Sequence, residues 1–404
     1  MKILQINKFL YRKGGTEVYC LSLGDLLQKN GHEVIYFSMQ DERNINSSQS
    51  DYFVSNIDFS QKRSILNSIK SIPRVIWSQE AVESIDKLIT NEKPDIVHLH
   101  NIYRHITPSI IPVIKRHKIP IVMTLHDYFA ICPNYQLFSQ GKICEQYGPN
   151  QYYKLLTTCR IKDSFSRSML AMFEGYYYQY KKVWDKIDLF LAPSRFIREK
   201  FIEFGYPEEK MVHLPLFLEE SFINQSENMS GKGGYFLFAG RLSSEKGLNF
   251  LIEFFKENPK YKLKIAGSGP DEQILIETAN NNNNIDLLGY QERGSLQKLI
   301  TEARAIIIPS IWYENAPYSV MEPMALGKVV IGSKIGGIPE LVEERKTGLL
   351  FEPNSKEQLL EKIQFCVEEE KEIEKMGQNA RAKMIQDFSN EKHYRKLMKI
   401  YQNL

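Results

Sequence analysis

The chain has 404 residues, too many for one ordinary compact domain; at roughly 100–200 residues per domain the expectation is two. Its 43% hydrophobic and 25% charged residues are the balance of a soluble globular protein, which excludes a disordered chain. A net charge of only +3, without any recognisable nucleic-acid module, excludes nucleic acid as a partner. That charge is unevenly shared. Residues 1–205 hold 27 Lys and Arg against 20 Asp and Glu, and the remainder hold 25 against 29. At +7 and −4, only the first half is suited to an anionic surface or substrate.

The first residues, MKILQIN, reach Lys8, Arg12 and Lys13 before any long apolar run, so they read as a first strand rather than a signal peptide. Buried parallel strands are expected where short runs rich in Ile, Val, Leu and Phe recur, at 2–6, 33–37, 95–99, 119–125, 189–192 and 211–214. A second set follows at 235–239, 262–266, 285–288, 305–308, 328–331 and 349–351. Amphipathic stretches lie between them, such as 17–30 closed by Gly31, and complete strand–helix–strand units. The fold class is therefore α/β, with two doubly wound parallel-sheet domains. The expected boundaries are 1–215 for the first domain, 216–234 for a polar linker, 235–388 for the second domain and 389–404 for a last helix. No stretch of 18 apolar residues occurs, so no transmembrane helix is expected and the location is read as cytoplasmic. Cys20, Cys132, Cys144, Cys159 and Cys366 form an odd, sparse set, expected to be free thiols. Cys132, Cys144 and Cys159 share one segment, but their spacing fits no common zinc pattern.

In open α/β sheets ligands collect beyond the carboxyl ends of the strands. There the sequence places Gly14 and Gly15, His126, Gly240-Arg241, Gly267-Ser268-Gly269, Gly289-Tyr290, Pro309-Ser310 and Gly336-Gly337. Gly14-Gly15 opens a helix, where free N–H groups and the helix dipole favour an anion; a plain helix-entry turn would look the same. Neither glycine cluster is GxGxxG, and no GxxxxGK[ST] is present, so a nicotinamide dinucleotide and an ordinary P-loop are both disfavoured. Arg241 and Lys246 follow a buried strand, where two cations grip a diphosphate or simply face solvent. The sharpest pattern is Glu314-Asn315-Ala316-Pro317-Tyr318-Ser319-Val320-Met321-Glu322, two carboxylates across a loop-to-helix entry near Pro317.

Taken in order, these motifs resemble family 4 of the retaining glycosyltransferases, which have the GT-B fold. The resemblance rests on Gly14-Gly15-Thr16-Glu17, the 94–100 run Pro-Asp-Ile-Val-His-Leu-His, Thr124-Leu125-His126-Asp127, the 240–247 turn, the Glu-x7-Glu pair and the 336–340 segment. It implies two Rossmann-like domains facing each other across a cleft that holds a nucleotide diphosphate sugar. On this resemblance Arg241 and Lys246 would bind the diphosphate, Glu322 the ribose, and Glu314 the transferred sugar with the backbone of 315–319. Gly14 and Gly15 would approach the phosphates, and His126 the sugar near its reacting carbon. Gly267, Gly289 and Tyr290 would lie near the base. His98 and His100 are read as packing residues. No DxD triplet occurs, in keeping with the metal-independent transfer that the resemblance implies, and no cofactor is expected. The chain departs from the family at Leu214-Pro215-Leu216-Phe217, where many relatives carry Pro-Asn-Gly. A sugar-nucleotide epimerase and a non-catalytic nucleotide-sugar-binding scaffold are the alternatives.

The first half's excess charge concentrates in 61–77 and 147–184, where Lys and Arg alternate with Trp, Tyr and Phe. Such stretches either dock on an anionic membrane or pack an apolar face on the first sheet. Docking would suit a lipid-linked sugar acceptor, with the enzyme peripheral on the inner face of the cell membrane.

Overall fold

The computed structural model describes residues 1–56, 74–145, 148, 150–161, 164–223, 233–280 and 282–404. They divide into two compact units. The first comprises Met1–Gln140, Cys144–Leu214 and His393–Leu404, and the second Gly141–Ile143 and Pro215–Lys392.

In the first unit the chain runs β1 (Lys2–Ile6), α1 (Gly15–Lys29), β2 (Glu33–Phe37), α2 (Gln79–Glu92), β3 (Ile96–Leu99) and α3 (Ile110–Arg116). It continues through β4 (Ile121–Thr124), α4 (Phe165–Tyr180), β5 (Leu189–Ala192), α5 (Arg195–Glu203) and β6 (Met211–His213). All described strand pairs of this sheet are parallel, in the order β2-β1-β3-β4-β5-β6. Because β3 lies on the opposite side of β1 from β2, the carboxyl ends of β1 and β3 part to leave a crevice. Serine starts several helices: the Ser78, Ser164 and Ser194 side chains accept from the N–H groups of Ala81, Arg167 and Ile197.

The second unit runs β7 (Phe236–Ala239), α6 (Leu248–Glu257), β8 (Leu263–Ala266), α7 (Glu272–Ala279), β9 (Ile285–Gly289) and α8 (Arg293–Glu302). Then come β10 (Ala305–Ile308), α9 (Tyr318–Ala325), β11 (Val330–Ser333), β12 (Leu349–Phe351), α10 (Lys356–Glu368) and α11 (Glu370–Asp387), while the last helix, α12 (Asn390–Gln402), belongs to the first unit from His393 onward. Its parallel order is β9-β8-β7-β10-β11-β12, with the reversal between β7 and β10. Strands such as Phe236–Ala239 and Ala305–Ile308 are buried at every position, because helices cover both faces of the sheet. Phe254, Phe255, Leu263, Ile307 and Phe351 are among the side chains that fill the core.

Three expectations are corrected. Cys144 and Cys159 are not free thiols: they form a disulfide, because the turn of helix at Tyr152–Leu156 returns the chain until their Cα atoms are 5.9 Å apart. Cys20, Cys132 and Cys366 remain free and buried. With two of the three cysteines bonded to each other, the three-cysteine metal set does not assemble. The stretch 216–234 does not begin as a solvated linker. Leu216, Phe217 and Leu218 are buried in the second unit, where Leu218 N–H donates to the Phe388 carbonyl at 2.9 Å. Residues 224–232 of that stretch lie outside the described residues. So does 61–73, most of one segment expected to dock on a membrane.

Candidate active site

In the second unit a turn after β7 carries Lys246, and Gly247 then starts α6 in the left-handed region at φ 72°. A side chain at Gly247 would strike the Pro309 carbonyl, so this glycine lets the Lys246 turn lie against the end of β10. There Lys246 Nζ donates to Glu314 Oε1 at 2.6 Å, and Ser310 Oγ donates to the same oxygen at 2.6 Å. Lys246 also lies 5.3 Å from the Trp312 ring centroid. Glu314 is only 4% exposed, so this is a desolvated pair steadied by a neutral donor. The Glu314 carbonyl accepts from Gly337 N–H at 2.7 Å, and the left-handed Gly336 (φ 59°) lets that loop approach. The other carboxylate oxygen, Oε2, takes no hydrogen bond from a described residue, leaving it open to a ligand hydroxyl.

Arg241 is exposed and makes no hydrogen bond or ion pair among the described residues. Asn315, Ala316 and Pro317 form the loop into α9, with Pro317 capping the helix that Tyr318 and Ser319 begin. Tyr318 Oη donates to the Phe217 carbonyl at 3.1 Å. Glu322 lies in α9 and makes no hydrogen bond or ion pair with Lys246 or Glu314. Burial raises its carboxyl to about 7; Arg293 opposes the rise and Glu219 adds to it. Arg293 is held by Glu219 at 2.6 Å, so its charge is already shared. Gly267 N–H donates to the Gly289 carbonyl at 2.8 Å, and Tyr290 beyond it is exposed. A groove of about 590 Å³ runs between α7 and β9, lined by Leu242, Ile276, Ala279, Asn280, Leu287 and Gly289 among others. It meets the predicted donor residues only at Gly289, and Lys246 and Glu314 lie outside its lining.

In the first unit Gly14 caps α1 in an extended conformation, and no side chain caps the opening turn at Gly15. The histidines form a buried row. His98 shares hydrogen bonds with Tyr401 Oη (2.6 Å) and Thr124 Oγ1 (2.7 Å), and its ring stacks on His100 at 4.5 Å. His100 Nε2 donates to Gln5 Oε1 at 2.7 Å, which leaves its Nδ1 to accept from His126 Nε2 at 3.0 Å. Burial lowers His98 and His126 to about 3 and His100 well below 6.5, so all three are neutral. With Gln5 Oε1 as the acceptor, His126 presents Nδ1 as a bare lone pair. His126 can thus accept from a hydroxyl but cannot give a proton from that nitrogen.

The structure therefore brings together Lys246, Glu314 and the 336–337 loop, all singled out by their sequence. It adds the Ser310 hydroxyl as a donor to Glu314, a contact that a loop serine does not advertise. Among the described residues no group of three or more His, Cys, Asp or Glu side chains is arranged to hold a metal ion.

Known proteins resemble this chain in sequence and fold. Residues 13–221, more than half the chain, match the family described as Glycosyltransferase Family 4, and residues 219–383 match Glycosyl transferases group 1. An uncharacterized 42.6 kDa protein in the cps region of Klebsiella pneumoniae is 24% identical over 84% of this chain and 87% of its own. The putative colanic acid biosynthesis glycosyltransferase WcaL of Salmonella typhimurium is 27% identical over 62% of this chain and 64% of its own. Among solved structures, Anabaena HepE in complex with UDP and glucose superposes with a TM-score of 0.70, covering 100% of both chains at 17% identity, a likeness of fold. The chain belongs to Glycosyltransferase Family 4 and is a glycosyltransferase of the GT-B fold.

Proposed function

We propose that the enzyme transfers a sugar from a nucleoside diphosphate sugar to an acceptor hydroxyl with retention of anomeric configuration, in the synthesis of a cell-surface polysaccharide or glycolipid. The observation that carries the reading is the buried Lys246–Glu314 pair, steadied by Ser310 beside a free carboxylate oxygen. Lys246 and the unpaired Arg241 supply the positive charge that a departing diphosphate needs, without a divalent metal. Glu314 Oε2 accepts from the hydroxyls of the transferred sugar, and Glu322 accepts from the ribose diol. His126, neutral, accepts a sugar hydroxyl at Nδ1. In the transfer step the bond from the anomeric carbon to the diphosphate breaks, and the acceptor oxygen bonds to that carbon on the same face. The acceptor proton passes to the leaving phosphate. HepE is described in complex with UDP and UDP-glucose, which supports a uridine donor as the first to test. Nucleotide release that appears only when an acceptor is supplied tests the reading; conversion of the donor into an epimeric nucleotide sugar with no net nucleotide release would favour an epimerase.

The reading extends to a membrane-borne acceptor, through α4. One face of this helix packs inward through Ser168, Ala171, Gly175 and Tyr178. The opposite face presents Phe165 (57% exposed), Met169, Phe173 (56%) and Tyr180 (80%). Every exposed charged side chain described between 150 and 182 is a cation: Arg160, Arg167, Lys181 and Lys182. Apolar residues framed by cations suit the headgroup region of an anionic bilayer. Cosedimentation with vesicles containing phosphatidylglycerol, lost on replacing Phe165 and Phe173 by Ser, is expected. No binding at low salt would remove this part.

A further inference from the structure

The acids and the cations around the carboxyl ends of β1, β3 and β4 are satisfied unequally. Asp127 is fully engaged: Oδ2 accepts from Tyr103 Oη at 2.8 Å and Oδ1 from Phe129 N–H at 3.0 Å. Glu17 accepts from Asn7 Nδ2 at 3.4 Å, and Glu174 from Tyr178 Oη at 3.1 Å. Each carboxylate thus has a neutral donor. The cations beside them do not have acceptors. Lys8 Nζ sits 3.7 Å above the Tyr103 ring and 5.4 Å from that of Phe9, and its side chain makes no hydrogen bond or ion pair among the described residues. Arg104, held at φ 70°, lies 5.8 Å from the Tyr135 ring and is likewise without an acceptor. The Tyr103 and Tyr135 rings stack at 5.8 Å, so the two cations flank one aromatic stack.

A guanidinium and an ammonium that meet no protein acceptor turn their donors to water or to a ligand's oxygens, and an anionic ligand adds charge attraction that water lacks. Burial also lowers Lys8 to about 8, against the attraction of Asp127 and Glu17, so a bound anion would restore its full charge. Aromatic rings beside polar charged groups are a surface on which a sugar ring can lie while its charged substituent is held.

We propose that Lys8 and Arg104 bind an oxyanion carried by the acceptor, a phosphate or a carboxylate, with the acceptor's sugar ring against the partly exposed Tyr135, which the buried Tyr103 backs. The proposal rests on the glycosyl-transfer reading for the word acceptor, but the anion site stands on its own geometry. It is separate from Lys246, Arg241 and Glu314, which belong to the second unit, and because Gly14, Gly15 and His126 of the donor set share its own unit, the titration with UDP decides whether the two sites are distinct.

The test titrates the full chain with inorganic phosphate, glucose 1-phosphate, methyl glucuronoside and methyl glucoside, with and without saturating UDP. Phosphate and glucose 1-phosphate stand for a phosphate-bearing acceptor, and the glucuronoside for a uronic acid. At least one anionic probe is expected to bind in the presence of UDP, at least tenfold more tightly than the neutral glucoside. Lys8→Met and Arg104→Met, which keep side-chain bulk over the rings, are each expected to weaken it at least tenfold while UDP affinity is unchanged. Equal binding by the variants, loss of the anion when UDP is added, or equal affinity for the neutral glucoside would each overturn the proposal. Failure of UDP and GDP to bind at all would count against the transfer reading instead, and the phosphate titration without nucleotide would still decide this one.

Discussion

Replacing Glu322 by Gln sets stability against donor binding at a single side chain. The Glu322 carboxyl is raised by burial from 4.5 to about 7 and accepts no hydrogen bond from a described residue. A group whose folded value lies above its unfolded value opposes folding once it ionises, and does not do so below the unfolded value. At about 1.4 kcal/mol for each pH unit between the two values, the ionised carboxyl opposes folding by up to ~3 kcal/mol at pH 8. Partial solvent screening reduces this to about 1–3 kcal/mol. Gln fills the same space without ionising. Glu322→Gln is therefore expected to melt above the wild type at pH 8, by about 2–4 °C per kcal/mol for a unit of this size, with the gap narrowing toward pH 5. Hydroxyl donors from a ribose lower the carboxyl again, so nucleotide binding should expel a proton near pH 7 in the wild type but not in the variant. Calorimetric melting from pH 5 to 8, with nucleotide titrations in two buffers, reads both effects. A melting difference that stays constant across that range would refute the reasoning.

Arg241→Ala and Lys246→Ala should each lower turnover by about 10²–10³ while circular dichroism shows the fold intact; near-normal transfer by either would remove the diphosphate assignment. His98 and His126 are held neutral at about 3 against an ordinary 6.5, so the stability they contribute is whole above pH 6.5 and is lost as the pH falls toward 3. Urea unfolding should show a decline of about 1–3 kcal/mol per pH unit between pH 6 and 4, shallower in His98→Asn. The Cys144–Cys159 disulfide closes a loop with a sequence separation of 15, for which chain entropy gives about 3 kcal/mol. Dithiothreitol should lower the melting temperature of the wild type and leave a Cys144→Ser, Cys159→Ser variant unmoved.

Apolar runs were enough to locate both sheets. All strands of the two described six-stranded sheets fall where short Ile-, Val- and Phe-rich segments recur, because strands covered on both faces carry their burial in local sequence. Boundaries were less legible. The strand expected at 328–331 is Val330–Ser333, because Lys328 precedes it and turns inward to donate to the Ala303 carbonyl at 3.0 Å. The Gly-rich turns and the Glu-x7-Glu spacing pointed to Lys246 and Glu314. The pairing of those two side chains was not legible, since they lie 68 residues apart and meet only when β7 and β10 are neighbours. Lys8 and Arg104 carry no such sequence signal, for a related reason. A lone cation after a strand looks the same whether or not it has a partner, and only tertiary structure shows that Asp127 is already taken by Tyr103. The apolar residues 216–218 carried a usable signal against a solvated linker, obscured by the polar stretch that follows them.

The proposed transfer from a nucleoside diphosphate sugar, with retention, is organised by Lys246 and Glu314. It is tested most directly by NMR of the anomeric signals while the wild type and Lys246→Ala act on α-configured UDP- and GDP-sugars with a panel of acceptors. An α-linked product, formed in step with nucleotide release, is expected from the wild type and almost none from the variant. A β-linked product would contradict retention, and an equally active variant would contradict the site.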